Sequence, residues 1–390
     1  MRTARDLAAE TGRRRRGLAD GLARAGVLTD PRWLTAFAEV PRHEFLHRFF
    51  WPEPGGRWAA IDDTDNDWLR RVYSDRVLVT QLDGDPGRWR TARRDGPVTG
   101  VPTSSSSEPS IMAIMLEELR VSDGDRVLEI GTGTGYNAAL LCHRLGDALV
   151  TTVDVDADLV RTARDALRRL GYSPTCETAD GAAGYLPNAP YDRVLATCSV
   201  SRIPPAWLAQ TAPGGLVVTT LNRPLGAGLV RVVAGEDGRG RGRVLAEDGR
   251  FMPLRAHRGP DPQQLLRRAT AGPAWTRVVR RDIAEELAPT AGFEFYAGLA
   301  LPLAMAIVDR DRTVWLVQPD GSWAHEYVDD AERLVVTQGG PRRLWDLAEA
   351  AHEDWIALGR PGRARFGITV EPGHQEIWLD APDGQHRWPL

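Results

Sequence analysis

The chain has 390 residues, of which 42% are hydrophobic and 26% charged, a globular composition that excludes a disordered or collagen-like polymer. The formal net charge of −4 provides no overall positive field for nucleic acid or anionic lipid, and no apolar run is long enough to span a membrane. No apolar stretch follows the arginine run at 13–16, so we predict no secretory signal. Three widely spaced cysteines, Cys142, Cys176 and Cys198, form no disulfide framework and no CxxC pair. We expect a cytoplasmic protein of two or three compact units, without nucleic-acid or membrane partners.

All 49 of the Lys+Arg residues are arginine. Arginine stays protonated and forms no Schiff base, whereas pyridoxal chemistry and Walker-type phosphate binding both use lysine. The absence of lysine therefore excludes these two classes of mechanism.

The N-terminal part of the chain divides into a helical segment and a segment with little periodicity. Apolar residues recur at helical spacing in residues 1–50, and Asp30 followed by Pro31 predicts the start of a second helix. His43 and His47 could share a helical face, but no third ligand follows and Arg42 beside them indicates a solvated face, so we expect no metal site. Residues 51–108 are rich in Trp, Pro, Gly and Asp, which favours a lid or substrate-binding segment with one short strand at 76–80.

Strands and helices alternate from residue 109 to residue 222. Helices are predicted at 109–119, 136–145, 158–170 and 205–210, and strands at 126–130, 150–155, 175–178, 193–197 and 216–221. This order predicts an α/β domain over residues 109–255, doubly wound, with a mostly parallel sheet and helices on both faces. The strands at 126–130 and 150–155 are continuous apolar runs, which is typical of buried parallel strands.

Residues 256–390 are predicted to form an extra α+β domain. Short strands at 314–317, 324–328, 366–370 and 376–379 are separated by turn sequences, and one strong helix spans 344–358. The tryptophans concentrated in this region either fill its core or form a peptide-binding face, and both interpretations remain open.

The sequence VLEIGTGTGY at 127–136 takes a buried strand through a glycine-rich turn into a helix. Glycines allow a ligand to approach the backbone, and the start of the helix offers unpaired N–H groups. Asp154 ends the next strand, where a carboxylate can accept hydrogen bonds from ribose hydroxyls. Dinucleotide-binding turns usually have a third glycine where this chain has Tyr136, so a different nucleotide ligand is indicated.

The pattern Glu-x-Gly-x-Gly-x-Gly closely resembles that of Rossmann-like class I S-adenosylmethionine-dependent methyltransferases. Asp180 and Gly181 follow the third strand, where such enzymes contact adenine, and 212–215 resembles their entry into the fifth strand. The resemblance implies S-adenosylmethionine as cofactor and S-adenosylhomocysteine as product. The cofactor-binding residues that it implies are Glu129, Gly131, Thr132, Gly133, Gly135, Tyr136, Asp154, Val155, Asp180, Gly181 and Thr197.

Segments outside this turn indicate the substrate class. FAEVPRHEF at 37–45, YSDRVL at 73–78 and SSSEPSIM at 105–112 resemble motifs of protein L-isoaspartyl O-methyltransferases, and the similarity covers roughly residues 30–255. Glu108 stands where that family usually has Gln, and serines fill 104–107. The serine-rich variant and the extra domain are similar to a narrower group that accompanies ribosomal-peptide maturation. That group methylates an aspartate of a macrocyclised precursor peptide, and the ester then closes to an aspartimide, which can hydrolyse to isoaspartate.

A carboxylate substrate simplifies the chemistry, because its ordinary pKa near ~4 leaves it ionised without a general base. We expect the Ser107 hydroxyl to aim this carboxylate, with Ser106 and Thr103 nearby, unless the serines only cap the helix at 109. Glu108 should point away or pair with an arginine, and Cys198 should be a buried filler. A general isoaspartyl repair enzyme and a non-catalytic binding module on the same fold remain as alternatives to peptide maturation.

Overall fold

The computed structural model describes residues 4–270, 272–279, 282–288, 292–308 and 313–390. The chain divides into two compact units by the contacts within each, and the predicted limits at residues 108 and 255 stay a prediction. The first unit comprises Met1–Cys198, Pro204–Thr219 and Val233–Gly238, and the second comprises Ser199–Ile203, Thr220–Val232 and Arg239–Leu390. Within the described ranges, no helix combines the length and apolar character that a membrane crossing requires.

The first unit begins with helices α1 (Ala4–Arg24) and α2 (Pro31–Glu39). Helix α2 starts where the sequence predicts, because the Asp30 carboxylate accepts a hydrogen bond from the Arg32 backbone N–H at 2.8 Å and Pro31 occupies the first helical position. A 3₁₀ turn at Arg42–Phe45 follows, so His43 and His47 do not share an α-helical face.

The segment after this turn forms a four-stranded sheet, where the sequence predicted a segment with only one short strand. Its elements are β1 (Arg48–Glu53), β2 (Arg57–Asp62), α3 (Trp68–Val72), β3 (Leu78–Leu82), α4 (Arg88–Asp95) and β4 (Pro102–Ser106). The strand order is β2-β1-β3-β4, and β1 pairs antiparallel with both β2 and β3, as β4 does with β3. Phe50, Val79 and Leu82 form a small buried core with Ala92 of α4, which keeps this sheet folded.

The remainder of the first unit has the predicted α/β alternation. Its elements are α5 (Pro109–Leu119), β5 (Val127–Ile130), α6 (Tyr136–Leu145), β6 (Val150–Asp154), α7 (Ala157–Arg169), β7 (Thr175–Thr178), β8 (Tyr191–Val200), α8 (Pro205–Ala209) and β9 (Thr211–Asn222). The strand order is β9-β8-β5-β6-β7, and β5 pairs in parallel with β6 and β8. Every residue of β5 is buried, as predicted for a central parallel strand.

The second unit contains two groups of antiparallel strands. The first group has the order β19-β18-β17-β11-β10, and the second group has the order β12-β16-β15-β14-β13. The elements are β10 (Ala227–Ala234), β11 (Gly240–Val244), α9 (Pro262–Ala269), β12 (Ala274–Val278), α10 (Ala284–Leu287), α11 (Gly292–Ala300), β13 (Met305–Val308), β14 (Val314–Val317), β15 (Trp323–Val328), β16 (Leu334–Gly339), α12 (Leu344–Ala357), β17 (Phe366–Glu371), β18 (His374–Leu379) and β19 (Arg387–Pro389).

The tryptophans of the second unit serve mainly as core residues. Trp323, Trp345, Trp355 and Trp378 are buried, whereas Trp275 on β12 is 46% exposed. A large aromatic ring removes much apolar surface from water, so these four side chains stabilise the unit by burial. The core interpretation therefore accounts for these four tryptophans.

Candidate active site

The glycine-rich turn between β5 and α6 has a backbone that requires glycine. Gly131, Gly133 and Gly135 have φ values of 98°, 51° and 88°. A Cβ atom on Gly131 would lie 2.7 Å from the Thr197 Oγ1 atom, and one on Gly135 would lie 3.0 Å from the Ala163 Cβ atom. Side chains of β8 and α7 therefore pack so closely against the turn that only glycine fits at these two positions.

Two of the predicted cofactor residues also hold this turn in shape. The Thr197 hydroxyl donates to the Gly131 carbonyl at 2.8 Å, and the Asp154 carboxylate accepts from the Gly133 N–H at 3.0 Å. Val155, immediately after Asp154, is 42% exposed. The ends of β6 and β8 thus fix the turn from both sides, at the carboxyl edge where α/β sheets bind ligands.

These residues fit S-adenosylmethionine at the start of α6. Gly135 is the N-cap residue of α6 and provides no side-chain acceptor for the first-turn amides. The Tyr136 N–H donates to the Thr134 hydroxyl at 3.4 Å, so the N–H groups of Asn137 and Ala138 are the ones that can receive a ligand. On the adjacent β7 side, Asp180 is exposed and its carboxylate accepts from the Ala182 N–H at 3.0 Å. The Trp207 indole donates to the Gly181 carbonyl at 2.7 Å, which fixes this second turn.

The structure buries the side chains of Glu129 and Thr132 beneath the turn. Glu129 is fully buried, and its carboxylate accepts from Asn137 Nδ2 and Thr152 Oγ1, each at 2.7 Å. The Thr132 and Thr152 hydroxyls are 2.7 Å apart in the same network. Burial raises the pKa of Glu129 to about 7. These two side chains therefore support the turn from inside, and the cofactor-binding role of the two residues stays a prediction.

This buried carboxyl group predicts a specific pH dependence of stability. Because the pKa of Glu129 is about 7 in the folded chain and lower when unfolded, its stabilising contribution is present below the unfolded value and lost as the pH rises through 7. Glu129→Gln should therefore flatten the decline of the free energy of unfolding between pH 5 and 8. Urea titrations of both proteins across this range would check it; parallel curves would contradict the assignment.

The Tyr136 ring faces the N-terminal segment, and the cofactor-binding role of this residue stays a prediction. The ring centroid lies 6.4 Å from that of Phe37 and 5.9 Å from that of Phe45. The Arg42 guanidinium carbon lies 5.8 Å from the Tyr136 ring centroid. Arg42 is 0% exposed, so the predicted solvated face at this arginine is wrong.

Alternate side chains of strand β4 lie on opposite faces, which divides the serine-rich segment into two sets. Ser104 and Ser106 are buried; the Ser104 hydroxyl accepts from Thr80 Oγ1 at 3.1 Å, and the Ser106 hydroxyl accepts from Arg42 at 3.4 Å. The Thr103 hydroxyl accepts from the Gly84 N–H at 2.9 Å and donates to Gln81 Oε1 at 2.8 Å. The hydroxyls of Ser106 and Thr103 are therefore already engaged by protein groups, and their place near the substrate stays a prediction.

Ser105 and Ser107 differ from Ser104 and Ser106 in the surroundings of their hydroxyls. In the described part of the chain, neither hydroxyl makes a hydrogen bond to another protein group, and both residues are half-buried. The Ser105 carbonyl would lie 3.3 Å from a Cβ atom on Gly133, so the end of β4 adjoins the glycine-rich turn. Sequence reasoning missed Ser105, although the period of two along a strand relates it to Ser107. The role of Ser107 stays a prediction.

The serines do not cap α5. Its N-cap residue is Glu108, and the Ser110 backbone N–H donates to the Asp75 carboxylate at 2.8 Å. Glu108 Oε1 accepts from the Ser110 hydroxyl at 2.9 Å, where an arginine partner was one expectation. The capping alternative for Ser107 therefore lacks support, and its hydroxyl remains a candidate for the substrate.

Neither the cysteines nor the histidines form a reactive cluster near this turn. Burial raises the pKa of the Cys198 thiol to about 12, which leaves it a poor nucleophile. His43 Nδ1 lies 2.7 Å from the Tyr73 hydroxyl, and His47 lies 3.7 Å from Asp63. No group of three His, Cys, Asp or Glu residues within the described ranges could hold a metal ion.

Comparison with known proteins agrees with this geometry. The sequence profile of the protein-L-isoaspartate(D-aspartate) O-methyltransferase family matches residues 90–258. The protein-L-isoaspartate O-methyltransferase of Koribacter versatilis is 33% identical over 236 residues, which cover 60% of this chain and 87% of that protein. Protein-L-isoaspartate O-methyltransferase 1 of Cupriavidus necator is 40% identical over 231 residues, which cover 58% of this chain and 72% of that protein.

A solved protein-L-isoaspartate O-methyltransferase structure shares the fold over a longer stretch. Its TM-score is 0.53 at 23% identity, and the alignment covers 94% of this chain and 100% of that one. With the glycine-rich turn and the adjoining serine strand in place, the chain belongs to the protein-L-isoaspartate O-methyltransferase family and is an S-adenosylmethionine-dependent O-methyltransferase.

Proposed function

We propose that this protein methylates the free α-carboxylate of L-isoaspartyl residues in peptides and proteins, as a general repair enzyme does. Family membership supports the reaction class. The observation that carries the proposal is the position of Ser107, whose hydroxyl follows a strand that adjoins the glycine-rich turn and makes no hydrogen bond within the described protein. A hydroxyl there can donate to an anionic oxygen.

The chemistry requires positioning more than proton transfer. When bound, S-adenosylmethionine supplies an electrophilic methyl group on a sulfonium sulfur. Ser107 would donate to one carboxylate oxygen while the other oxygen forms the bond to the methyl carbon; the carbon–sulfur bond breaks and its electron pair stays on sulfur. No proton moves, because the carboxylate is already ionised at neutral pH. The chain's part is in-line placement and exclusion of water.

A second candidate is the aspartate side chain of a macrocyclised ribosomal peptide. The run of serines at 104–107, which largely forms strand β4 at the edge of the sheet β2-β1-β3-β4, favours a specialised substrate. The C-terminal region does not favour it, because the solved isoaspartate enzyme aligns with 94% of this chain. We therefore place the general isoaspartyl substrate first.

Three peptides of one sequence separate these candidates: an isoaspartyl peptide, the linear aspartyl peptide and its side-chain macrocycle. Each is incubated with S-adenosylmethionine and followed by mass spectrometry for one added methyl group and for later loss of methanol. We expect methylation of the isoaspartyl peptide. Methylation of the macrocycle alone would overturn the general proposal and establish the second candidate.

A further inference from the structure

Arg42 is a buried cation at the serine-rich strand, and it lies in the segment 37–45 whose similarity to the family gives it no role in the reaction. We propose that Arg42 is a positioning residue for methyl transfer, which fixes Ser107 and directs positive charge toward the substrate carboxylate. This inference rests on the proposed function. It assigns to the site a residue that the sequence suggested was solvated.

The contacts of Arg42 join the end of β4 to the turn before β3. Its guanidinium group donates to the carbonyls of Val72 at 2.9 Å, Ser74 at 3.0 Å and Arg76 at 3.2 Å. It also donates to the Ser107 carbonyl at 3.0 Å and to the Ser106 hydroxyl at 3.4 Å. A planar guanidinium group has a rigid arrangement of donors, so these bonds fix the backbone of Ser107 against the rest of the first unit.

Burying the positive charge of Arg42 costs free energy, because the guanidinium group loses its hydration. No carboxylate of the described residues lies within ion-pair distance of it, and its Nε atom has no hydrogen-bond partner. Burial lowers the pKa of Arg42 to about 10, which still leaves it charged at neutral pH. Asp75 and Glu108 raise the pKa from farther away, as do the phenols of Tyr73 and Tyr136. A cation compensated mainly by carbonyl dipoles projects positive potential at Ser107, where an anionic substrate carboxylate would be stabilised.

A purely structural role is the competing explanation, and Arg193 provides a control for it. Arg193 also collects backbone carbonyls, those of Leu119 and Asp192 at 2.9 Å and Arg120 at 3.0 Å. Unlike Arg42, it also pairs with a carboxylate, that of Asp125 at 3.1 Å. It lies on β8 opposite Val127, at the amino end of the parallel strands, whereas the glycine-rich turn follows their carboxyl end. Loss of either arginine should reduce stability, but only loss of Arg42 should affect the reaction.

The experiment compares Arg42→Gln, Arg42→Lys and Arg193→Gln with the unaltered chain. For Arg42→Gln we expect kcat on the isoaspartyl peptide to fall about 100-fold, the cost that a small misplacement near the reacting atoms can have. The dissociation constant for S-adenosylhomocysteine, measured by calorimetry, should stay unchanged. Arg42→Lys keeps the charge and should recover part of kcat, and Arg193→Gln should retain kcat. A kcat unchanged in Arg42→Gln would overturn the inference.

A second measurement separates this inference from the proposed function. Backbone hydrogen exchange at 104–110 should accelerate in both Arg42 variants and stay unchanged in Arg193→Gln, whether or not the peptide is a substrate. If the unaltered chain methylates no peptide, the proposed function is wrong. Backbone hydrogen exchange at 104–110 would still test whether Arg42 positions Ser107. Unchanged exchange in Arg42→Lys, the variant that best preserves folding, would refute the positioning role.

Discussion

Replacing Ser107 with alanine should lower kcat on an isoaspartyl peptide about 10- to 150-fold, because a hydrogen bond to a charged group is worth ~1.5–3 kcal/mol. Ser107 follows β4, and its hydroxyl is not engaged by the described protein groups, so substrate orientation is what the substitution removes. The affinity for S-adenosylhomocysteine should not change, because the glycine-rich turn is untouched. Initial rates and calorimetry on the same preparations would measure both quantities.

Ser110→Ala is the control for this prediction. The Ser110 hydroxyl donates to Glu108 at 2.9 Å and has no part in the proposed contact, so kcat should be retained. Ser105→Ala shows whether the second hydroxyl of the same face shares the task. A turnover number unaffected by Ser107→Ala would remove Ser107 from the mechanism.

Gly135→Ala should abolish measurable cofactor binding at concentrations that saturate the unaltered chain. Gly135 has a φ of 88°, and an added Cβ atom would lie 3.0 Å from the Ala163 Cβ atom of α7. The strain of a positive φ costs ~1–2 kcal/mol, and overpacking adds ~1–3 kcal/mol, which the chain relieves by moving α6 away from α7. Because the start of α6 is predicted to form one wall of the cofactor site, calorimetry with S-adenosylhomocysteine would detect this movement.

Gly171→Ala separates backbone strain from displacement of the helix. Gly171 has a φ of 85°, and a Cβ atom there would meet nothing within 4 Å. The strain of a positive φ should lower the midpoint of thermal unfolding of this variant, as it does for Gly135→Ala. The variant should still bind S-adenosylhomocysteine. Equal binding losses in both variants would mean that general destabilisation, not the α6–α7 contact, explains the effect.

Local sequence was sufficient for the α/β part of the first unit. The limits of α5, α6 and β7 agree with the predicted ones, and β5 differs by one residue. Buried parallel strands are short apolar runs, and the intervening helices carry their own start and stop residues, so each element is readable without its neighbours.

The sheet β2-β1-β3-β4 was not readable in this way. Its strands have five or six residues, and β1 pairs with β3 through Phe50 and Val79, which lie far apart in the chain. Over so few positions, the alternation of apolar and polar residues is a weak signal for a strand. The aromatic residues of this segment do not distinguish strands from a loop. The sheet forms by pairing between segments that are distant in the chain, and no pattern in the local sequence predicts this pairing.

For the site, the sequence by itself determined the glycine-rich turn and the acidic residue at the end of β6, because glycine geometry and strand-end chemistry are local properties. The reaction class came from the resemblance of its motifs to a methyltransferase family. Only the tertiary structure decided which polar groups are engaged inside the protein. In the folded chain, Glu129 is buried and the Tyr136 ring contacts Phe37. Arg42 donates to the carbonyl of Ser107, although the two residues are 65 positions apart in the sequence. Burial and long-range hydrogen bonding depend on the packing of distant segments, which residue type and spacing do not specify.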